Sequence, residues 1–275
     1  MIWKRFRSPS WFEAVLLVLG AVVITFGVTR AHTIKQTLVQ HAHLLRWPIL
    51  ETVPLREEYG PQHNSRNIEE WVIRDYFRDR RGGVFLDVGA NHYQNESNTY
   101  FLETHLGWSG VAIDALEEFA AGYAAHRPRT RFFALFVSDV VDGSAELFVP
   151  PQNKLVASAS YEFTVGEGAP GKPRQVPMTT LNAILERTGI EKLDLVSMDI
   201  ELGEPKALAG FAIDRYRPEL VCIESHPEVR QVIIDYFIRH GYTIVAKYLR
   251  ADADNLYFAP IEPRISPTDP GGTSR

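Results

Sequence analysis

The sequence predicts an α/β domain whose mostly parallel sheet carries helices on both faces, set behind an N-terminal transmembrane helix. Three observations lead there. Seven β-prone runs alternate with helical patterns between residues 84 and 258, and strands separated by helices pair in parallel with both sheet faces covered. The first run, Val84-Phe85-Leu86-Asp87-Val88, stops at the small-residue turn Gly89-Ala90-Asn91, a strand end that lets backbone approach a ligand closely. Residues 11–28 are apolar apart from Glu13, Gly20, Thr25 and Gly27, and Lys4, Arg5 and Arg7 precede them.

In chain order, residues 1–10 read as a basic N-terminal segment and residues 11–29 as a membrane anchor. At about 1.5 Å per residue such a run reaches roughly 27 Å, close to the thickness of a bilayer's hydrocarbon core. A cleaved signal peptide is the competing reading, but Thr29-Arg30-Ala31-His32 offers it no small-x-small cleavage site. Residues 30–63, punctuated by Pro48, Pro54 and Pro61, read as a stalk or linker.

The domain itself is expected over residues 64–260. Ser65 is placed to cap a helix with Ile68, Trp71, Val72 and Phe77 on one face, ending in Arg78, Arg80 and Arg81 before Gly82-Gly83. Strands are expected at 84–88, 110–113, 132–137, 193–198, 220–224, 242–246 and 255–258. Helical patterns cover 97–106, 117–126, 180–187 with Gly189 beyond, and 227–240 with Gly241 past the end. Residues 150–177, rich in Pro, Gly, Ser and Ala, suit an active-site flap or a loose insertion, and 261–275 a flexible tail.

The 275 residues allow one sizeable domain with extensions, and the net charge of −5 argues against general affinity for nucleic acid. Cys222, the single cysteine, lies in the apolar run Leu220-Val221-Cys222-Ile223, so no internal disulfide forms.

In an open α/β sheet, ligands bind beyond the carboxyl ends of the strands. The residues that fall there are Gly89, Ala90 and Asn91, then Asp114, Ser138 and Asp139, Asp199 and Glu201, and Glu224 and His226. A dinucleotide fingerprint needs three glycines, and only Gly89 lies between Asp87 and Asn98, so a non-phosphorylated nucleoside fits better than NAD. Asp114 ends the second strand, where a carboxylate accepts from both ribose hydroxyls; Glu117-Glu118-Phe119 after it also permits a helix-capping role. Asp139 equally suits the turn Asp142-Gly143-Ser144, His226 equally suits a cap of the helix that follows it, and Asp199 and Glu201 also permit a capping role. No metal is expected, because the spacing of Asp199, Glu201, Glu224 and His226 matches no compact metal motif.

Several segments in one order resemble a known family. Phe85-Leu86-Asp87-Val88-Gly89-Ala90-Asn91, Glu96-Ser97-Asn98-Thr99-Tyr100-Phe101-Leu102-Glu103 and Leu106-Gly107-Trp108-Ser109-Gly110-Val111-Ala112-Ile113-Asp114 resemble the FkbM-type class I methyltransferases. Thr180-Leu181-Asn182-Ala183-Ile184-Leu185 is similar to that family's T-L-D-x-L-L, and Leu193-Asp194-Leu195-Val196-Ser197-Met198-Asp199-Ile200-Glu201 to its D-L-x-K-I-D-V-E-G strand. Val221-Cys222-Ile223-Glu224-Ser225-His226 resembles V-x-x-E-x-H. The departures are His92-Tyr93-Gln94 where a glycine is usual, Asp114-Ala115-Leu116 for E-P-N, and Gly203 one residue late.

The resemblance implies a Rossmann-like sandwich with a seven-stranded sheet and S-adenosylmethionine as cofactor. It places Gly89, Ala90 and Asn91 around the methionine part with Asp87 on its amino group, Asp114 on the ribose, and Ser138 and Asp139 near the adenine. Asp199, Glu201 and His226 face the transferring methyl as candidate bases. The implied reaction is O-methylation of a hydroxyl on a small-molecule or glycan acceptor; the alternative is a non-catalytic anchored module that keeps the fold as an interaction platform. The basic flank before the anchor favours a translocated domain, whereas a cytosolic cofactor requires the cytoplasmic side, which is the placement expected.

Overall fold

A computed structural model describes residues 48–151, 154, 157–166 and 173–261. The basic segment, the anchor, most of the stalk and the tail from residue 262 lie outside the described residues. Among the described residues no helix is long and apolar enough to cross a membrane. The described residues from 51 to 261 belong to one compact unit.

Within the stretch expected as stalk, Pro48–Tyr59 is helix α1, and Leu55 is buried in one cluster with Trp71, Phe77 and Tyr248. Helix α2 (Glu69–Phe77) follows; it starts later than the sequence pattern suggested, yet Ser65 Oγ still accepts the Glu70 N–H at 3.1 Å. The main sheet uses β1 (Val84–Val88), β2 (Ser109–Asp114), β3 (Thr130–Ala134), β7 (Leu195–Met198), β8 (Leu220–Glu224), β9 (Tyr242–Ile244) and β10 (Asn255–Pro260). Their order is β3-β2-β1-β7-β8-β10-β9. All neighbours from β3 to β8 are parallel, and β10 runs antiparallel to β8 and β9.

Strand alternation divides the core between the two faces. Leu86, Val88, Val196, Met198, Val221 and Ile223 pack with helices α6 (Leu181–Thr188), α7 (Glu204–Ala209), α8 (Ile213–Tyr216) and α9 (Arg230–Arg239). Phe85, Leu195, Leu220 and Cys222 pack on the opposite face with α2 and α3 (Tyr100–Leu106), and Tyr123 of α4 (Ala120–His126) is buried in a cluster with Ala112. The signals for α6 behave as expected: Thr180 Oγ1 accepts the Ala183 N–H at 3.2 Å, and Gly189 closes the helix at φ 68°. Cys222 is buried and free.

One strand expectation is overturned. The run 132–137 divides, because β3 ends at Ala134 and Phe136–Val137 (β4) joins a second sheet of order β4-β6-β5. Its partners are β5 (Gly143–Phe148) and β6 (Pro173–Thr179), so the stretch 150–177 is neither wholly loose nor wholly a flap. It also carries the short helix α5 (Tyr161–Gly166). The apolar run is continuous in sequence, but the sheet joined by each half depends on β6, about forty residues away.

Candidate functional site

The chain reverses sheet direction between β1 and β7, and such a switch point opens a crevice at the strand tips. Gly89 sits there at φ +80°. Its N–H and that of Ala90 both donate to Ile113 O, at 2.9 and 3.0 Å. A Cβ on Gly89 would lie 1.7 Å from the Asp199 carbonyl oxygen, so glycine is demanded by the neighbouring strand tip as much as by any ligand. Asn91 takes φ +47°, and its N–H donates to Asp114 Oδ2 at 2.9 Å. Asp114 Oδ1 accepts the Leu116 N–H at 2.8 Å, so this carboxylate organises the turn while each oxygen keeps a lone pair. Burial pushes Asp114 up to about 6 against those two backbone hydrogen bonds.

Asp87 is 4 % exposed and accepts from Thr99 Oγ1 at 2.6 Å. Burial pushes it up to about 6, opposed by Thr99 and by Arg127. The Arg127 guanidinium donates to Thr99 Oγ1 at 3.1 Å and to Glu103 at 2.6 Å, and reaches Tyr93 O at 2.9 Å. Asp87 thus belongs to a buried network behind the turn and does not line the cavity in front of it. In the departure after Asn91, His92 Nδ1 accepts the N–H groups of Gln94 and Asn95 and Tyr93 stacks on His126, so the ring caps a turn without a glycine.

In front of the turn lies a cavity of about 560 Å³, part of it open to solvent. It is lined by Gly89, Asn91 and Asp114, by the apolar Leu116, Leu135, Phe136, Val137 and Leu147, and by Asp199 and Glu201. A carboxylate at one end of an apolar slot, with a side-chain-free turn beside it, fits a nucleoside bearing an amino acid. Ser138 and Asp139 stand outside this lining. They follow β4 and not the third strand of the main sheet, Asp139 is exposed, and Ser138 Oγ donates to it at 2.9 Å. Leu135 and Phe136 occupy the place at the tip of β3 where these two were expected.

A second cavity of about 570 Å³ adjoins the first, and Asp199 and Glu201 line both. Its other walls include Arg66, Asn67, Phe163, Glu224, His226 and Asp254. His226 Nε2 lies 3.2 Å from Glu201 Oε2 and 3.2 Å from Glu224 Oε1, and those two carboxylates push the imidazole up to about 11. The ring therefore holds its proton at neutral pH. Burial raises Glu201 despite its pairing with His226. Asp199 is accessible from the cavities but surrounded by protein, and burial followed by Glu224 and Glu201 pushes it well above the usual carboxylate range. Glu204, fully buried, accepts the Ile200 N–H at 3.0 Å and is pushed by burial to about 7.

The backbone after β7 is strained. Glu201 has φ +52° and Leu202 φ +73°, whereas Gly203 has φ −83° and needs no special freedom. The left-handed region costs a side-chain-bearing residue about 1–2 kcal/mol. Leu202→Gly is therefore expected to raise stability by about 0.5–1 kcal/mol, read as an upward shift in thermal unfolding. Ser158 holds the turn by donating to Glu201 O at 2.7 Å.

Sequence reasoning did not find Arg66, Asn67, Phe163, Asp254 or Lys154 as cavity residues. The first four meet only through tertiary packing and lack a local motif. For Lys154 and Phe163 the composition of 150–177 hinted at a site-covering segment without selecting residues.

The doubly wound sheet, the cradle at its switch point and the carboxylate at the tip of β2 define a Rossmann-like domain of the methyltransferase class. The model of the methyltransferase FkbM domain matches residues 87–244, and the chain belongs to that family. The 31-O-demethyl-FK506 methyltransferase FkbM of Streptomyces tacrolimicus is 24% identical, over 72% of this chain and 91% of that protein. Among solved structures, a Pyrococcus horikoshii protein described as an RNA methyltransferase aligns at TM-score 0.35, with 13% identity, 70% of this chain and 81% of that one. The precorrin-6y C5,15-methyltransferase of Geobacter metallireducens GS-15 aligns at TM-score 0.38, with 9% identity, 69% of this chain and 84% of that one. Membership of the family implies S-adenosylmethionine as the methyl donor.

Proposed function

We propose that this protein transfers the methyl group of S-adenosylmethionine to a hydroxyl oxygen of a polar, polyhydroxylated small-molecule or glycan acceptor. The observation that carries this reading is the shared wall: Asp199 and Glu201 face an apolar, nucleoside-shaped cavity on one side and a polar cavity on the other. The donor brings an already electrophilic sulfonium methyl, so the protein's task is alignment and exclusion of water. Gly89 and Asn91 border the methionine end, with Ala90 buried behind the turn in a cluster with Ala112 and Tyr123, Asp114 takes the ribose hydroxyls, and Leu135 and Phe136 flank the base. Asp87 supports the turn through Thr99. Asp199, at the junction of the two cavities, accepts the proton of the acceptor hydroxyl, while protonated His226 and Glu201 position that hydroxyl. A hydroxyl-rich acceptor is favoured by the second cavity, whose lining is mostly Asn, Arg, His, Asp and Glu.

The domain is proposed to work on the cytoplasmic side of a membrane, tethered by residues 11–29 behind the bases Lys4, Arg5 and Arg7. Nothing in the net charge of −5 favours nucleic acid as acceptor.

Calorimetric titration of the protein with S-adenosylmethionine tests the reading, with 1:1 binding expected. Absence of binding would leave the fold as an interaction platform. Asp114→Asn is expected to weaken that binding by about 1.5–3 kcal/mol, roughly 10- to 150-fold, because a charged acceptor is lost. An unchanged affinity would restrict Asp114 to its contacts with Asn91 and Leu116.

A further inference from the structure

We infer that Glu201, Glu224 and His226 form a divalent-cation site of the Mn²⁺ or Mg²⁺ class on the acceptor side of the shared wall, where the ion binds the acceptor's hydroxyl oxygen. One donor atom from each of the three residues lies within 4.8 Å of the others. The His226 Nε2 to Glu201 Oε2 and His226 Nε2 to Glu224 Oε1 separations are both 3.2 Å. Donors held about 2.1 Å from one ion at right angles stand about 3.0 Å apart, so each carboxylate oxygen is spaced from His226 Nε2 as an adjacent corner of a coordination shell.

The arrangement is poorly explained without an ion. A ring nitrogen carries one hydrogen at most, and two carboxylates converge on this one, so one of them lacks a linear donor whichever protonation state holds. Glu224 Oε2 is buried and its side chain meets another carboxyl, Asp199, which can satisfy it only by holding a proton, a costly arrangement for two carboxylates with no cation between them. The cavity lining holds five carboxylates, from Glu69, Asp199, Glu201, Glu224 and Asp254, against one arginine, Arg66, and His226. Glu201 reaches the cluster only by taking the left-handed backbone that Ser158 secures, the kind of strain retained where a side chain must be aimed. One imidazole, whose Nε2 would bind the ion in place of its proton, and two carboxylates, with open positions toward a cavity, suit a borderline-hard ion that keeps exchangeable oxygen ligands.

This inference rests on the methyltransferase reading for its chemistry. An acceptor hydroxyl bound to the ion is acidified, as metal-bound water is. Its proton passes to the Asp199 carboxylate, the oxygen forms the new O–CH₃ bond, and the breaking S–CH₃ bond leaves its electron pair on sulfur as a neutral thioether. No oxidant or reductant is required.

The test is titration of the full chain with MnCl₂, free Mn²⁺ being followed by electron paramagnetic resonance, with neither cofactor nor acceptor added. One saturable ion per chain is expected, displaced by excess Mg²⁺, with affinity reduced at least tenfold in Glu224→Gln and in His226→Gln. Both variants are checked for the parental circular dichroism and unfolding temperature, and two independent substitutions guard against misfolding of one. No saturable Mn²⁺ binding by the parent, or binding equal in parent and both folded variants, overturns the site. Titration with S-adenosylmethionine separates the two readings: Mn²⁺ bound without cofactor binding sinks the methyltransferase reading and sustains the ion site, whereas cofactor bound without Mn²⁺ does the reverse.

Discussion

Asp199→Asn is expected to lower turnover roughly 10²- to 10⁴-fold, the usual scale for losing a positioned proton acceptor, while leaving S-adenosylmethionine affinity within a few-fold of the parent. The readout is S-adenosylhomocysteine formed with whichever polyol or glycan of a panel is accepted, set beside calorimetric affinity for the donor. The asparagine keeps the shape of the side chain at the junction of the two cavities and removes its ability to accept the proton. Asp199 is crowded by Glu201, Glu204 and Glu224, so the substitution also removes one like charge and no fall in unfolding temperature is expected. A loss of donor affinity with turnover preserved would move Asp199 from the reaction to cofactor binding.

The second large effect is expected at Gly89. Gly89→Ala should cost roughly 3 kcal/mol or more, combining left-handed strain with a collision in a packed interior. The added Cβ would lie 1.7 Å from the Asp199 carbonyl oxygen and 2.8 Å from its carbonyl carbon, and backbone atoms in two paired strands do not yield as a flexible side chain would. A domain of ordinary stability, 5–15 kcal/mol, would lose a large share of it. Chemical denaturation is the measurement, and a variant as stable as the parent would mean that the tips of β1 and β7 are farther apart than described. The sequence assigned this glycine to ligand approach; the structure adds a demand from the next strand that is present before any ligand arrives.

Local signals carried much of the fold. The strand-to-turn break at Gly89, the Thr180 cap and the Gly189 stop each act within a few residues, so the chain announces them where they occur. The parallel pairing from β3 to β8, though not the strand order, followed from alternation of strands and helices. The splitting of 132–137 between two sheets was not legible, because pairing of Phe136 with Met178 and of Val137 with Thr179 is settled far along the chain. The same limit applies to Ser138 and Asp139: a strand end displaced to Ala134 moved the tip away from them. Asp199, Glu201 and His226 were legible as strand-tip residues and do come together, but the convergence of Glu201 and Glu224 on one ring nitrogen depends on the register of β7 against β8. Arg127 gave no sign of its buried place beside Glu103, since an arginine after a helix ordinarily faces solvent.

The contact between Gly89 and the Asp199 peptide joins the proposed donor end of the site to its proposed reacting end through main chain alone. The distance across which a methyl group must travel is therefore a property of the sheet, insensitive to most side-chain exchanges around it. Residues 150–177, which bring Lys154 to one cavity and Phe163 to the other, are built on the smaller sheet and are free of that constraint. Redirecting this protein toward a different acceptor is thus a matter of exchanging that insert, with the strand tips left as the fixed ruler against which any new acceptor has to be measured.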